Sequence, residues 1–166
     1  MATILHTTKL IDTTHRTLIK IVGVDGGDAN TLLIDAASLS NSLNVNNKIL
    51  NSGTDRKSVY RTTVKRIWGQ GQIGTNKIVT LKWKDDTNSP IVTFGTGHFD
   101  YNFDREGMTG AIATPVGANA TGNIIFTSTA TTGDAFTLFI DLKKDNRDYD
   151  AGQTRDPAAF NAAGIP

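Results

Sequence analysis

The chain has no cysteine, a single glutamate (Glu106), only four prolines, and no apolar run approaching the ~20 residues that a membrane span requires. Each shortage closes off a class of explanation. Without cysteine there is no disulfide framework and no thiolate nucleophile, which fits a reducing compartment or a particle that avoids redox chemistry. Excess charge is missing too: 17 Lys and Arg against 16 Asp and Glu leave a formal net charge of +1. Nothing draws the chain as a whole toward nucleic acid or an anionic membrane, so a basic partner surface has to be a local patch. The opening MATILHTTKL lacks a basic segment joined to an apolar core, and Ala2 stands where myristoylation needs glycine. A soluble chain without leader or lipid anchor is expected.

What the sequence does hold is 24 Thr, 13 Asn, 15 Asp and 16 Gly. Threonine favours strands, while Asn, Asp and Gly favour turns. This is an all-β composition. From Thr13 the run THRTLIKIVGV predicts a strand, ANTLLID the next, and the cluster Asp25 to Asp28 a hairpin loop between them. A Ser- and Asn-rich stretch follows, read as a long loop with one helical turn capped by Asp35. Residues Ser58 to Trp68 and the run NKIVTLKWK then form two basic strands, the second with Val79, Leu81 and Trp83 on one face. In HFDYNFD, Phe99, Tyr101 and Phe103 alternate with His98, Asp100, Asn102 and Asp104, as in a half-buried strand. With IVTFG, NIIFTST and DAFTLFIDL the count reaches about eight strands. Connections of unequal length predict an antiparallel, jelly-roll-like β-sandwich over residues 13–142. Residues 1–12 are expected as an N-terminal arm and 143–166 as a C-terminal tail outside the core. In that tail Asp156, Pro157 and Gly164 frame a short helical turn.

The chemistry signals are weak. GQGQIG, Gly69 to Gly74, matches the dinucleotide fingerprint G-x-G-x-x-G, but only ten residues separate Gly74 from Asp85, and they alternate with period two. No helix and returning strand fit there, so the stretch reads as a Gly-rich hairpin connection. DYNFDRE begins like a calcium loop, yet Arg105 and Ala111 stand where an EF-hand needs glycine and a bidentate glutamate. Asp100, Asn102 and Asp104 read instead as a solvated strand face. Asp145, Asp148 and Asp150 are interleaved with Arg147 and Arg155, a solvated or partner-facing pattern. His6, His15 and His98 have no metal-ligand spacing, and His98 with Asp100 lacks a nucleophile elbow. No catalytic, metal or cofactor residue is assigned. Arg56, Lys57, Arg61, Lys65, Arg66, Lys77, Lys82 and Lys84 surround Trp68 and Trp83, a mixture that single-strand or glycan binders use. Trp83 is in phase with the core, while Trp68 is uncommitted.

Taken as phrases, TTKLIDTTHRTLIKIVG, VKRIW, LKWKDDTN, the aromatic strand before the Gly- and Ala-rich loop, and GDAFTLFIDLKKD resemble small virion structural proteins of tailed bacteriophages, of the capsid decoration or cement type. The resemblance covers most of the chain and carries no catalytic motif. It implies a non-enzymatic protein on the capsid surface, made in the bacterial host cytoplasm. Its implied partners are the major capsid protein and copies of itself, with a host glycan as the alternative. It also implies many weak contacts multiplied by avidity. Nucleic acid and membrane are not expected partners. The residues expected to touch a partner are Ile4 and Leu5 in the N-terminal arm, Arg61, Lys65 and Trp68 around the basic strand, and Arg147, Tyr149, Arg155 and Phe160 in the tail.

Overall fold

A computed structural model describes residues 2–24, 26–42, 60–104, 112–115, 120–145 and 149. They form ten strands and one 3-10 turn. Strands β1 (Ile4–Asp12), β2 (Arg16–Val24), β10 (Ala135–Lys144), β4 (Thr62–Gln72) and β7 (Gly97–Asn102) lie side by side in that order, and the short β8 (Ile112–Ala113) also pairs with β4. The second sheet has the order β3 (Asp28–Ile34), β9 (Ile124–Ser128), β5 (Val79–Trp83) and β6 (Pro90–Phe94). Every pairing is antiparallel.

The two sheets share one apolar cluster, built by alternation. In β10 the residues Phe136, Leu138, Ile140 and Leu142 are buried, while Thr137, Phe139 and Asp141 between them are not. Ile19 and Ile21 of β2 and Val64 and Ile67 of β4 complete that inner face. Opposite them stand Val79, Leu81 and Trp83 of β5, Phe94 of β6 and Phe126 of β9. Phe136 joins the sheets, its ring 5.7 Å from Phe94 and 6.4 Å from Phe126, both edge-on. Its ring also covers Gly23, where a Cβ would meet ring atoms at 2.3 Å. As expected, Trp83 is core, and Phe99 faces inward, stacked 4.2 Å from Phe94. Asp35 caps the single turn Ala36–Ser38, its carboxylate accepting from the Ala37 N–H.

Several expectations are corrected. Asp25 to Asp28 is not a hairpin loop: β2 and β3 belong to different sheets, so the chain crosses between layers there. Among the described strands only β1–β2 and β5–β6 are hairpins between sheet neighbours. GQGQIG is not a connection either, since Gly69 to Gln72 are the last four residues of β4. A Cβ on Gly69 would stand 2.1 Å from the Thr137 carbonyl oxygen, and one on Gly71 2.3 Å from that of Gly95. The glycines allow close backbone approach inside the molecule.

The N-terminal stretch expected as an arm folds back as the sheet-edge strand β1, paired with β2 from Ile4 opposite Val24 to Asp12 opposite Thr17. The start of the expected tail is equally integrated. Lys143 and Lys144 finish β10, and Lys144 is buried, its ammonium donating to the Thr13 and Ser40 carbonyls at 2.8 Å each and to the Asp12 carboxylate. These bonds tie the β1–β2 turn, the segment after the 3-10 turn and the end of β10 together. The helical turn expected around Asp156 and Pro157 lies outside the described residues.

Candidate functional site

The outward face of the six-stranded sheet departs from an ordinary solvated surface. Register places Trp68 of β4 between Phe139 of β10 and Asp100 of β7. The Trp68 and Phe139 rings stack with centroids 5.3 Å apart and planes 9° from parallel. Alternation along β2 puts Leu18, Val22 and Val24 on the same outward face, and β1 adds Ile4 and Ile11 opposite Val24 and Leu18. Lys20 stands directly opposite Phe139 on that face, and His6, Thr8, Thr137 and Gln70 share it, so the outward surface is mixed and the ring stack is its largest apolar feature.

Its flanks are ion-paired. Arg66 reaches Asp100 through Nε at 2.9 Å and Nη2 at 2.6 Å, a two-pronged guanidinium–carboxylate fork, and its Cζ lies 4.9 Å from the centre of the Trp68 ring. Arg16 makes the same fork with Asp141, both contacts 2.8 Å. Hydrogen bonding to Arg66 holds the Asp100 carboxyl below its ordinary range, and that same bond raises the guanidinium. The Arg16 guanidinium is raised likewise by its bond to Asp141. Lys65 sits where β4 breaks register against β10, and its ammonium meets Asp104 at 2.5 Å. Beside the stack lies an open groove of about 610 Å³, lined by Trp68, Phe139, Thr137, Gln70, His98 and Asp100.

The sequence-assigned partner residues separate in the structure. Trp68, Lys65 and Ile4 share this face of the sheet. Leu5, expected at the surface, alternates inward and packs against the core. Arg61 precedes β4, with its Nε 3.9 Å from Asp145. Tyr149 is corrected outright: it is fully buried, its hydroxyl donates to the Ala36 carbonyl at 2.8 Å, and its ring lies 5.9 Å from that of Tyr60. It anchors its own chain rather than a partner. Arg147, Arg155 and Phe160 lie outside the described residues.

Asp100 and Asp104 are engaged by Arg66 and Lys65, and Asn102 accepts from the Asp104 N–H at 3.1 Å. Among the described residues no group of three His, Cys, Asp or Glu side chains could hold a metal ion. Sequence reading missed Phe139 as the partner of Trp68. The available signal was its position out of phase with Leu138 and Ile140 in an otherwise regular strand. Comparison of the chain with protein-family models, with curated proteins and with solved structures finds no match.

Proposed function

We propose that this chain is a non-enzymatic virion structural protein that binds the capsid exterior and cements or decorates the major capsid lattice, using the outer face of the six-stranded sheet. The observation that carries the reading is the Trp68–Phe139 stack, two large rings held side by side on the outward face and flanked by ion pairs and by Lys20. Apolar centres with charged rims are the anatomy of protein interfaces, and Trp and Arg are the residues most often found at their energetic centres. Both arginines are already oriented by carboxylates, so little side-chain freedom is lost on docking.

In this reading the two sheets form a jelly-roll-like sandwich, and the C-terminal tail with Arg147, Arg155 and Phe160 is an arm reaching the major capsid protein or another copy. The test is fractionation of purified particles. Stoichiometric recovery with the capsid, and capsids that open at lower temperature when the protein is left out, are the expected results. Absence from particles overturns the reading.

A second reading rests on the groove. Gln70, His98 and Asp100 set hydrogen-bonding groups beside aromatic surface, a combination suited to a host-surface glycan bound by a neck, tail or fibre component. A Trp68→Ala variant that still enters particles but loses binding to host polysaccharide favours this second reading.

A further inference from the structure

Strand β1 is a long sheet edge whose protective devices, Lys9 and the bulge at Leu10, lie toward one end, with the Lys9 ammonium held by the Ser38 carbonyl and Asp12. Among the described residues nothing pairs with its outer side, and it is nine residues long. It carries Ile4 and Leu10, each 50% exposed, and Ile11, three of the five large apolar side chains exposed among the described residues. Long, apolar, unpaired edges are templates for strand addition, which natural proteins usually block. Here the edge is held rather than frayed. At one end the Thr3 N–H donates to Asp28 at 2.8 Å and the Thr3 hydroxyl to the Gly26 carbonyl at 3.0 Å. At the other, Asp12 accepts from the Ser40 N–H at 2.9 Å and from buried Lys144.

We propose that β1 pairs antiparallel with β1 of a second copy across a two-fold axis at Thr7, joining the two six-stranded sheets into one. Register selects this arrangement. A two-fold perpendicular to the sheet keeps each face on its own side, so opposed residues must share a face. Leu10 is the extra residue of a bulge against β2, and beyond it the alternation inverts. Pairing has to stop there. With Thr7 on the axis, Ile4 lies opposite Leu10 of the second copy, Leu5 opposite Lys9, and His6 opposite Thr8. Seven residues of each strand pair, and the exposed Ile4 and Leu10 cover one another at both ends. Centring on Thr8 instead opposes Ile4 to Asp12 and mismatches faces across the bulge. Centring on His6 sets two imidazoles together and opposes Ile4 to Thr8 and Leu10 to Ala2, so the exposed Ile4 and Leu10 no longer cover one another. The strand is therefore self-complementary in one register. The joined sheet would also set the Trp68–Phe139 stacks of two copies on one continuous face.

The inference stands on the edge geometry and goes beyond the virion reading, so either can fail alone. Because the chain has no cysteine, one introduced thiol reports the register. Opposed Cα atoms in an antiparallel pair are ~4.5–5.5 Å apart, within disulfide reach. Full-length Thr7→Cys and, as a control, Leu32→Cys on the other sheet are oxidised at equal concentration and read on non-reducing gels. The unmodified chain and an Ile4→Lys, Leu10→Lys double variant are compared by sedimentation equilibrium up to about 500 μM. The expected results are a dimer of the unmodified chain, its loss in the double variant, and cross-linking of Thr7→Cys about tenfold faster than Leu32→Cys. Equal cross-linking rates, or an unmodified chain that stays monomeric over the whole range, overturn the proposal. Sedimentation of the unmodified chain decides the matter even if a variant fails to fold.

Discussion

Trp68 and Phe139 lie directly opposite one another across the β4–β10 pair, rings 9° from parallel, on the side of the sheet turned away from the core. The other tryptophan, Trp83, is buried among Val79, Leu81 and Phe126. One fold thus holds a tryptophan that stabilises it and another held out at the surface.

The two should separate on substitution. Trp83→Ala empties a filled core site and is expected to cost about 3–5 kcal/mol. Trp68→Ala removes a half-buried ring stack on the outward face and is expected to cost about 1 kcal/mol. Urea unfolding of both variants checks the contrast.

Asp12 and Lys144 form a buried pair near the end of the β1–β2 hairpin, with side chains 9% and 0% exposed. Asp12→Ala leaves the ammonium buried without its counter-charge and is expected to destabilise by about 3–5 kcal/mol. A double Asp12→Ala, Lys144→Met variant should recover much of that loss, because it removes the orphaned charge. A thermodynamic cycle from urea curves reads the difference.

The same pair sets an acid limb. Burial pushes the Asp12 carboxyl up, but the hydrogen bonds from Lys144 and Ser40 and the nearby Lys144 charge outweigh it and hold the group at about 2, below its ordinary 3.8. A carboxyl depressed by folding adds stability above its unfolded pKa and loses it as pH falls toward the folded value. The stability advantage of the unmodified chain over Asp12→Asn should therefore shrink by about 2 kcal/mol between about pH 5 and pH 2. An advantage constant across that window contradicts the assignment.

Gly69 and Gly122 test the backbone reading of the glycines. Gly122 has φ +83°, and a Cβ there would stand 1.8 Å from the Tyr60 carbonyl oxygen. Alanine at either position is expected to cost about 2 kcal/mol or more, through displaced backbone rather than lost ligand binding. Thermal unfolding of Gly69→Ala and Gly122→Ala measures it.

Much of the fold is legible in the sequence wherever alternation is strict. AFTLFIDL and HFDYNFD show their buried faces directly, and the phase of Trp83 with Val79 and Leu81 marks it as core. Sheet membership is not legible, because a short turn such as Asp25 to Asp28 closes a hairpin or crosses between layers at similar length. β1 is hidden for a different reason. At an edge, both faces of ILHTTKLID remain largely exposed, so burial leaves no clean period. Of the site, Trp68 could be singled out as uncommitted, but its stacking on Phe139 depends on cross-strand register between distant segments. Lys144 reads as tail because lysine seldom lies inside. Its burial requires Asp12, Thr13 and Ser40, which only the tertiary fold brings together.

The central claim, that the outer face of the six-stranded sheet docks on a capsid, is tested most directly by co-sedimentation with purified capsids lacking this protein. The account predicts saturable, stoichiometric binding by the unmodified chain, reduced about tenfold or more by Trp68→Ala at unchanged fold, with Leu32→Ser on the opposite sheet binding as the unmodified chain does. Capsid binding that Trp68→Ala leaves intact, or no binding by the unmodified chain, would contradict it.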